Sequence, residues 1–124
     1  MKLINRTFHA WLDYMSCAVL LAAPWAFKFS DSDAAMAVSV GAGLMIFFVS
    51  VMTRYEGGVF RMIPMPMHLT LDILLGIFLI ASPWLFSFHD KVKWPHLLLG
   101  ILAILAGLMT VRKSTNEASA VENI

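Results

Sequence analysis

Apolar residues fill four blocks of this chain, at roughly 10–29, 34–53, 67–88 and 95–111, and most polar residues collect in the gaps between them. Each block is close to the about 20 mostly apolar residues that a bilayer-spanning helix needs. Barrel-like alternation is absent, and only a helix satisfies its backbone within one such block. The pattern predicts an all-α polytopic membrane protein with four transmembrane helices. The first block contains Asp13 and runs too long for the apolar part of a secretory signal, so it reads as a retained span. Turns fall at 30–33 and 89–93, and Pro95 suits the first turn of the helix that follows. Residues 54–66, with Gly57, Gly58, Pro64 and Pro66, form a linker, apolar enough at Val59, Phe60, Met62 and Ile63 to rest on headgroups. Residues 1–9 are a basic lead, and 112–124 a polar tail expected to lack fixed structure.

The blocks are duplicated. A shift of 59 residues superposes His9 on His68, Leu12 on Leu71, Asp13 on Asp72, Leu20 on Leu79 and Ala22 on Ala81. It also superposes Pro24 on Pro83, Trp25 on Trp84, Phe27 on Phe86, Phe29 on Phe88 and Asp31 on Asp90. The second helices agree less well, sharing chiefly Gly41 and Gly100. The fold expected is therefore two tandem helical hairpins, 10–53 and 67–111. Each copy crosses twice, so both keep one orientation and share an axis along the membrane normal.

Composition agrees with the pattern. Hydrophobic residues make up 60% of the 124 and charged residues 14%, against about 25% charged in soluble domains. A net charge of +1 carries no clustered basic face, which excludes a nucleic-acid partner. The single cysteine, Cys17, excludes an intrachain disulfide and paired-cysteine redox chemistry. No span has a sustained polar stripe of the kind that lines a pore. Lys2, Arg6, Arg54, Arg61, Arg112 and Lys113 on one side outnumber Lys28, Lys91 and Lys93 on the other. Both termini and the linker are thus expected on the cytoplasmic face of an inner membrane.

The motif Ser82-Pro83-Trp84, with Ala23-Pro24-Trp25 as its counterpart, resembles the SPW repeat family of small prokaryotic membrane proteins. The resemblance covers residues 9–113 and implies a four-span protein built from a two-helix repeat; it brings no activity and no catalytic residues. Each proline removes a helical hydrogen bond, freeing the carbonyls of Leu20 and Leu79, and Ser82 is placed to take up part of that loss. The motif reads as either a hinge or a helix end shaped to pack. Trp25, Trp84 and Trp94 suit an outer interfacial belt, and Trp11 an inner one.

At about 100° per residue, His9, Asp13, Leu20, Pro24 and Phe27 lie within roughly 60° of one another, as do their counterparts. These stripes are expected to face each other, with Gly76, and Cys17 at the matching position, small enough for close approach. Ala37 with Gly41, and Ala103 with Gly107, fit the small-xxx-small pattern of helix contact, within the bundle or between copies. The chemistry rests on His9, Asp13, His68 and Asp72, since a spacing of four puts imidazole and carboxylate on one face. The leading expectation is a non-catalytic structural or accessory protein, a homo-oligomer or part of a larger membrane complex, with these residues locking helix ends. The alternative is a site for a metal, a haem or protons. No cofactor follows from the sequence alone.

Overall fold

The computed structural model describes residues 3–111 and contains four helices: α1 (Arg6–Ala26), α2 (Asp33–Val51), α3 (Met65–Leu85) and α4 (Trp94–Met109). No strand occurs among the described residues. The tail at 112–124, and the basic residues Lys2, Arg112 and Lys113, lie outside them.

The helices start earlier than hydropathy suggests, because caps rather than apolar residues set their ends. Asn5 accepts a hydrogen bond from Phe8 N at 2.7 Å, so α1 begins at Arg6 and His9 lies within it, not in a lead. Pro64 and Pro66 open α3, and Pro95 falls in the first turn of α4. Both α1 and α3 stop three residues short of the expected ends. Lys28 and Ser87 take left-handed φ of 59°, and Phe29 N and Phe88 N donate back to Pro24 O and Pro83 O at 2.8 Å. This is the hydrogen bonding of a Schellman ending.

Each hairpin packs tightly on itself. In the second, α3 and α4 touch backbone to backbone: a Cβ on Gly76 would lie 2.6 Å from Gly100 O, and one on Gly100 would lie 2.7 Å from Gly76 O. In the first, the matching contact is made by Gly43, whose Cβ would meet Leu21 Cγ at 3.0 Å and Cys17 O at 3.3 Å. Gly41, expected to match Gly100, faces open space. The even helices therefore correspond through a shift of 57, not 59. The first repeat holds two more residues between Phe29 and Ser39 than the second holds between Phe88 and His96. The close approach of Gly76 is accordingly to α4 in its own hairpin, rather than to Cys17 across the axis.

The two hairpins run the same way. Ile4 N donates to Met109 O and Val111 N to Ile4 O, each at 3.0 Å, while the Arg6 guanidinium donates to Glu56 Oε2 of the linker at 3.0 Å. The chain start, the linker and the end of α4 thus meet at one end. The turns meet at the other, where Lys91 Nζ donates to Asp31 Oδ2 at 2.8 Å.

Polar side chains share the interior with apolar ones such as Leu20, Phe29, Leu69 and Leu79, and many large apolar side chains are exposed. His9, Asp13, Ser39, His68, Asp72, Ser82 and His96 are buried, while Phe48, Leu74, Ile77, Leu98, Leu105 and Leu108 are exposed. α2 and α3 are long and apolar enough to cross a membrane; α4 is apolar but has 16 residues.

Candidate metal centre

The buried faces of α1 and α3 keep the register of 59 throughout. His9, Asp13, Leu20 and Pro24 are inward on one, and His68, Asp72, Leu79 and Pro83 on the other. His9 and Asp13 fall one turn apart near the start of α1, and His68 and Asp72 do the same in α3. Where the two helices face each other at the linker end, all four side chains converge. One ligand atom from each lies within 4.8 Å of the others.

The pairing crosses between repeats. His9 Nε2 is 2.8 Å from Asp72 Oδ2, and His68 Nε2 is 3.0 Å from Asp13 Oδ2. The pairs within each helix are longer, 3.3 Å in both. The other ring nitrogens cross too. His9 Nδ1 lies 2.7 Å from Thr110 Oγ1, and His68 Nδ1 lies 2.6 Å from Thr53 Oγ1.

These threonines set the proton positions. Thr110 Oγ1 donates to Ala106 O at 2.5 Å and Thr53 Oγ1 to Val49 O at 2.6 Å, each one turn back in its own helix. A hydroxyl has one proton to give, so each oxygen accepts from the imidazole, and both rings carry hydrogen on Nδ1. In the neutral rings the Nε2 lone pairs then point at the carboxylates. Lone pair facing lone pair at about 3 Å is repulsive, so the cluster needs two positive charges. Two extra protons supply them, or one divalent cation.

The two histidines differ in how well protons serve them. His9 Nε2 makes a hydrogen bond to Asp72, so His9 is fully bonded as an imidazolium. His68 Nε2, on a residue 1% exposed, makes no aligned hydrogen bond despite its 3.0 Å distance to Asp13. Tyr55 takes that position, donating its hydroxyl to Asp13 Oδ2 at 2.7 Å. Burial and the adjacent Asp13 charge push the Tyr55 phenol well above its ordinary range, so it stays a donor. Its ring packs beside both imidazoles, and Tyr14 Oη donates to Gly57 O at 2.7 Å, fastening the linker over the cluster.

The odd helices carry the same Pro-Trp ending, and the family model of the SPW repeat domain matches residues 7–110. The chain belongs to the SPW repeat family. No curated protein and no solved structure matches it.

Two helical residues follow the proline of the SPW motif in each repeat. Ser82 Oγ donates to Leu79 O at 2.8 Å, the carbonyl Pro83 leaves free. In the first repeat the motif reads Ala23-Pro24-Trp25, and Ser39 of α2 donates to Leu20 O at 2.6 Å instead. Trp25 and Trp84 are exposed, away from the cluster. Ala103 lies on the bundle side of α4; Ala37, like Gly41, borders an apolar groove between α2 and α3. Gly107 packs on Leu69 and Ile73.

Sequence reasoning missed Thr53, Thr110 and Tyr55. A threonine one or two residues past each even helix was the available signal, but the shift of 59 does not superpose Thr53 on Thr110.

Proposed function

We propose that this SPW repeat protein is a four-span protein of the prokaryotic inner membrane that binds one divalent metal ion between its two repeats. The ligands are His9 Nε2, His68 Nε2 and the carboxylates of Asp13 and Asp72. The observation that carries the reading is the Nε2 of His68, buried 3.0 Å from Asp13 Oδ2 without an aligned hydrogen bond, while Thr53 fixes its other nitrogen. Metal-bound histidines are held in this way, with the second nitrogen donating to an oriented oxygen.

The spacing suits a small four-coordinate ion. Bonds of about 2.0–2.1 Å place tetrahedral ligands about 3.3 Å apart. Here the four imidazole–carboxylate distances, which draw on both oxygens of Asp13, run from 2.8 to 3.3 Å, and one ligand atom from each residue lies within 4.8 Å of the others, so the ligands would draw together around the ion. Two nitrogens and two carboxylates match a first-row divalent cation, zinc most closely. The ion also leaves the site neutral, which a low-dielectric surrounding demands. A haem does not fit: sites for such ligands take about 300 Å³ or more, whereas the void beside the carboxylates holds about 20 Å³. A proton path gains no support either, because apart from the aspartates and Ser16 that void is lined by apolar side chains, among them Leu20, Leu99 and Leu102.

The membrane reading rests on the apolar exterior and the buried polar interior. α4 is about 24 Å long at 1.5 Å per residue, so adjoining residues would complete its span. Trp25, Trp84 and Trp94 near the turns would mark one interface, and Trp11 the other. The cluster end, with the greater share of Lys and Arg, would face the cytoplasm.

A second reading, an ion-free clasp in a structural or accessory subunit, is favoured by the complete bonding of His9. Elemental analysis of protein purified in mild detergent separates the two. Near-stoichiometric metal, lost in the His9→Ala/His68→Ala variant, is expected. Metal-free protein that takes up no added zinc, and whose variant stays folded, leaves the clasp.

A further inference from the structure

The repeat symmetry extends to the main chain around the cluster. Ile4 and Ile63, which precede α1 and α3, correspond through the shift of 59, and each pairs with the threonine beyond an even helix. Ile4 N donates to Met109 O at 3.0 Å, as Ile63 N donates to Met52 O at 2.6 Å. Val111 N donates to Ile4 O at 3.0 Å, as Arg54 N donates to Ile63 O at 2.8 Å. The threonines that fasten the two imidazoles are thus set in a matched frame of main-chain bonds.

Residues 55–58 stand outside that frame. They form a turn closed on itself, with Gly58 N donating to Tyr55 O at 2.9 Å. Directly after it the linker is tied back to α2, where Val59 N donates to Val51 O at 2.7 Å. Side chains hold the turn on the face of α1 that carries Arg6, Ala10, Asp13 and Tyr14. Tyr55 Oη donates to Asp13 Oδ2 and Tyr14 Oη to Gly57 O, each at 2.7 Å, and Arg6 donates to Glu56 at 3.0 Å. The Tyr55 ring is fully buried against both imidazoles. A short turn anchored by main-chain bonds on either side, and by side chains in the middle, lifts without unwinding a helix.

We propose that the turn 55–58 is the door of the metal site, closing over the bound ion and opening to admit or release it. The inference rests on the metal reading above and deepens it. His9 and His68 are 0% and 1% exposed, so part of the chain must move before an ion reaches them. Beyond the aspartates the way is lined by Leu20, Leu99 and Leu102, which offer nothing in place of an ion's hydration. Lifting Tyr55 instead uncovers Asp13 and the two imidazoles, whose oxygens and nitrogens replace that water. The ion then exchanges with the side of the membrane that the linker faces, and with that side alone.

The test follows zinc uptake and release by the detergent-purified protein in stopped flow, with a chromophoric chelator as competitor. Gly57→Ala puts a methyl carbon 2.7 Å from Ala10 Cβ and 3.1 Å from the Tyr14 ring, which props the turn off α1. Tyr14→Phe keeps the ring and removes one bond that holds the turn down. Neither residue is a ligand. One hydrogen bond shifts an equilibrium by about 2–10-fold, so Tyr14→Phe should speed uptake and release alike by about that factor. Gly57→Ala should speed both at least as much, and the dissociation constant should stay unchanged in each variant. Unchanged rates, or faster release with weakened affinity, in a folded variant that binds one zinc overturn the door and leave the metal site standing. Tyr14→Phe carries the test should Gly57→Ala fail to fold. A wild-type protein that takes up no zinc overturns both.

Discussion

Ser39 Oγ donates to Leu20 O at 2.6 Å, the carbonyl that Pro24 deprives of its helical partner. The second repeat solves the same problem within one helix, through Ser82 and Leu79 O. Leaving a buried carbonyl unpaired costs about 1–3 kcal/mol. Ser39→Ala should therefore lower stability by that amount in a detergent unfolding titration. Ala23→Ser recreates the full motif in the first repeat and should recover most of the loss in the Ser39→Ala background. Equal losses in the single and double variants would show that the motif serine does not satisfy this carbonyl.

Close helix approach is expected to be unequal among the glycines. A methyl on Gly76 or Gly100 meets backbone oxygen at 2.6–2.7 Å, which cannot yield without separating α3 from α4. Gly76→Ala and Gly100→Ala should each destabilise by about 1–3 kcal/mol. Gly41→Ala meets nothing and, by helix propensity, should stabilise by up to about 1 kcal/mol. Thermal unfolding of the three variants ranks them, and a Gly41→Ala loss as large as the others would contradict the register of 57.

That register also explains what could be read from the sequence. The odd helices match at 59 along their buried faces, so the facing stripes and the His–Asp convergence were legible from residue types and spacing. The even helices are shifted by two residues because the chain between Phe29 and Ser39 is longer than that between Phe88 and His96. The identities at that shift are few, Gly43 with Gly100, Met52 with Met109 and Thr53 with Thr110 among them, while Ser39 faces His96 and Ser50 faces Gly107. The identity of Gly41 and Gly100 at 59 masks them, so the pairing of Gly43 and of the two threonines is hidden. Tyr55 was hidden for a different reason: the linker's fold over the cluster is set by bonds such as Arg54 N to Ile63 O, which no periodicity encodes.

At the turn end, the bond between Lys91 and Asp31 holds the Asp31 carboxyl below its ordinary value of 3.8. A carboxyl lowered in the folded state contributes stability that is fully present above that ordinary value. The contribution is lost as pH falls through the folded-state value. The pair is exposed, so salt screens it. Asp31→Asn should leave the melting temperature unchanged at 0.15 M salt, and any loss seen at 10 mM salt should shrink as pH falls below the ordinary value of 3.8. A large loss at 0.15 M would mean that the turns carry more of the inter-repeat contact than this exposed pair can supply.

Thr53 and Thr110 give the sharpest separation between a metal centre and an ion-free clasp. Each accepts from an imidazole Nδ1 while donating to its own helix, and so fixes ring orientation and leaves Nε2 for the cluster. Thr53→Val and Thr110→Val keep the side-chain shape and remove the acceptor. If the rings hold a metal, losing these outer partners should weaken zinc affinity about 10–100-fold while stoichiometry stays at one. Zinc binding should also release protons, since the ion replaces the positive charge that two imidazoliums otherwise provide. Competition titrations with a chromophoric chelator at several pH values measure both effects. In an ion-free clasp the same substitutions strand an imidazolium N–H in the core, so stability falls whether or not zinc is present. Added zinc that raises the melting temperature of the wild type by more than that of either threonine variant is the outcome a metal centre requires.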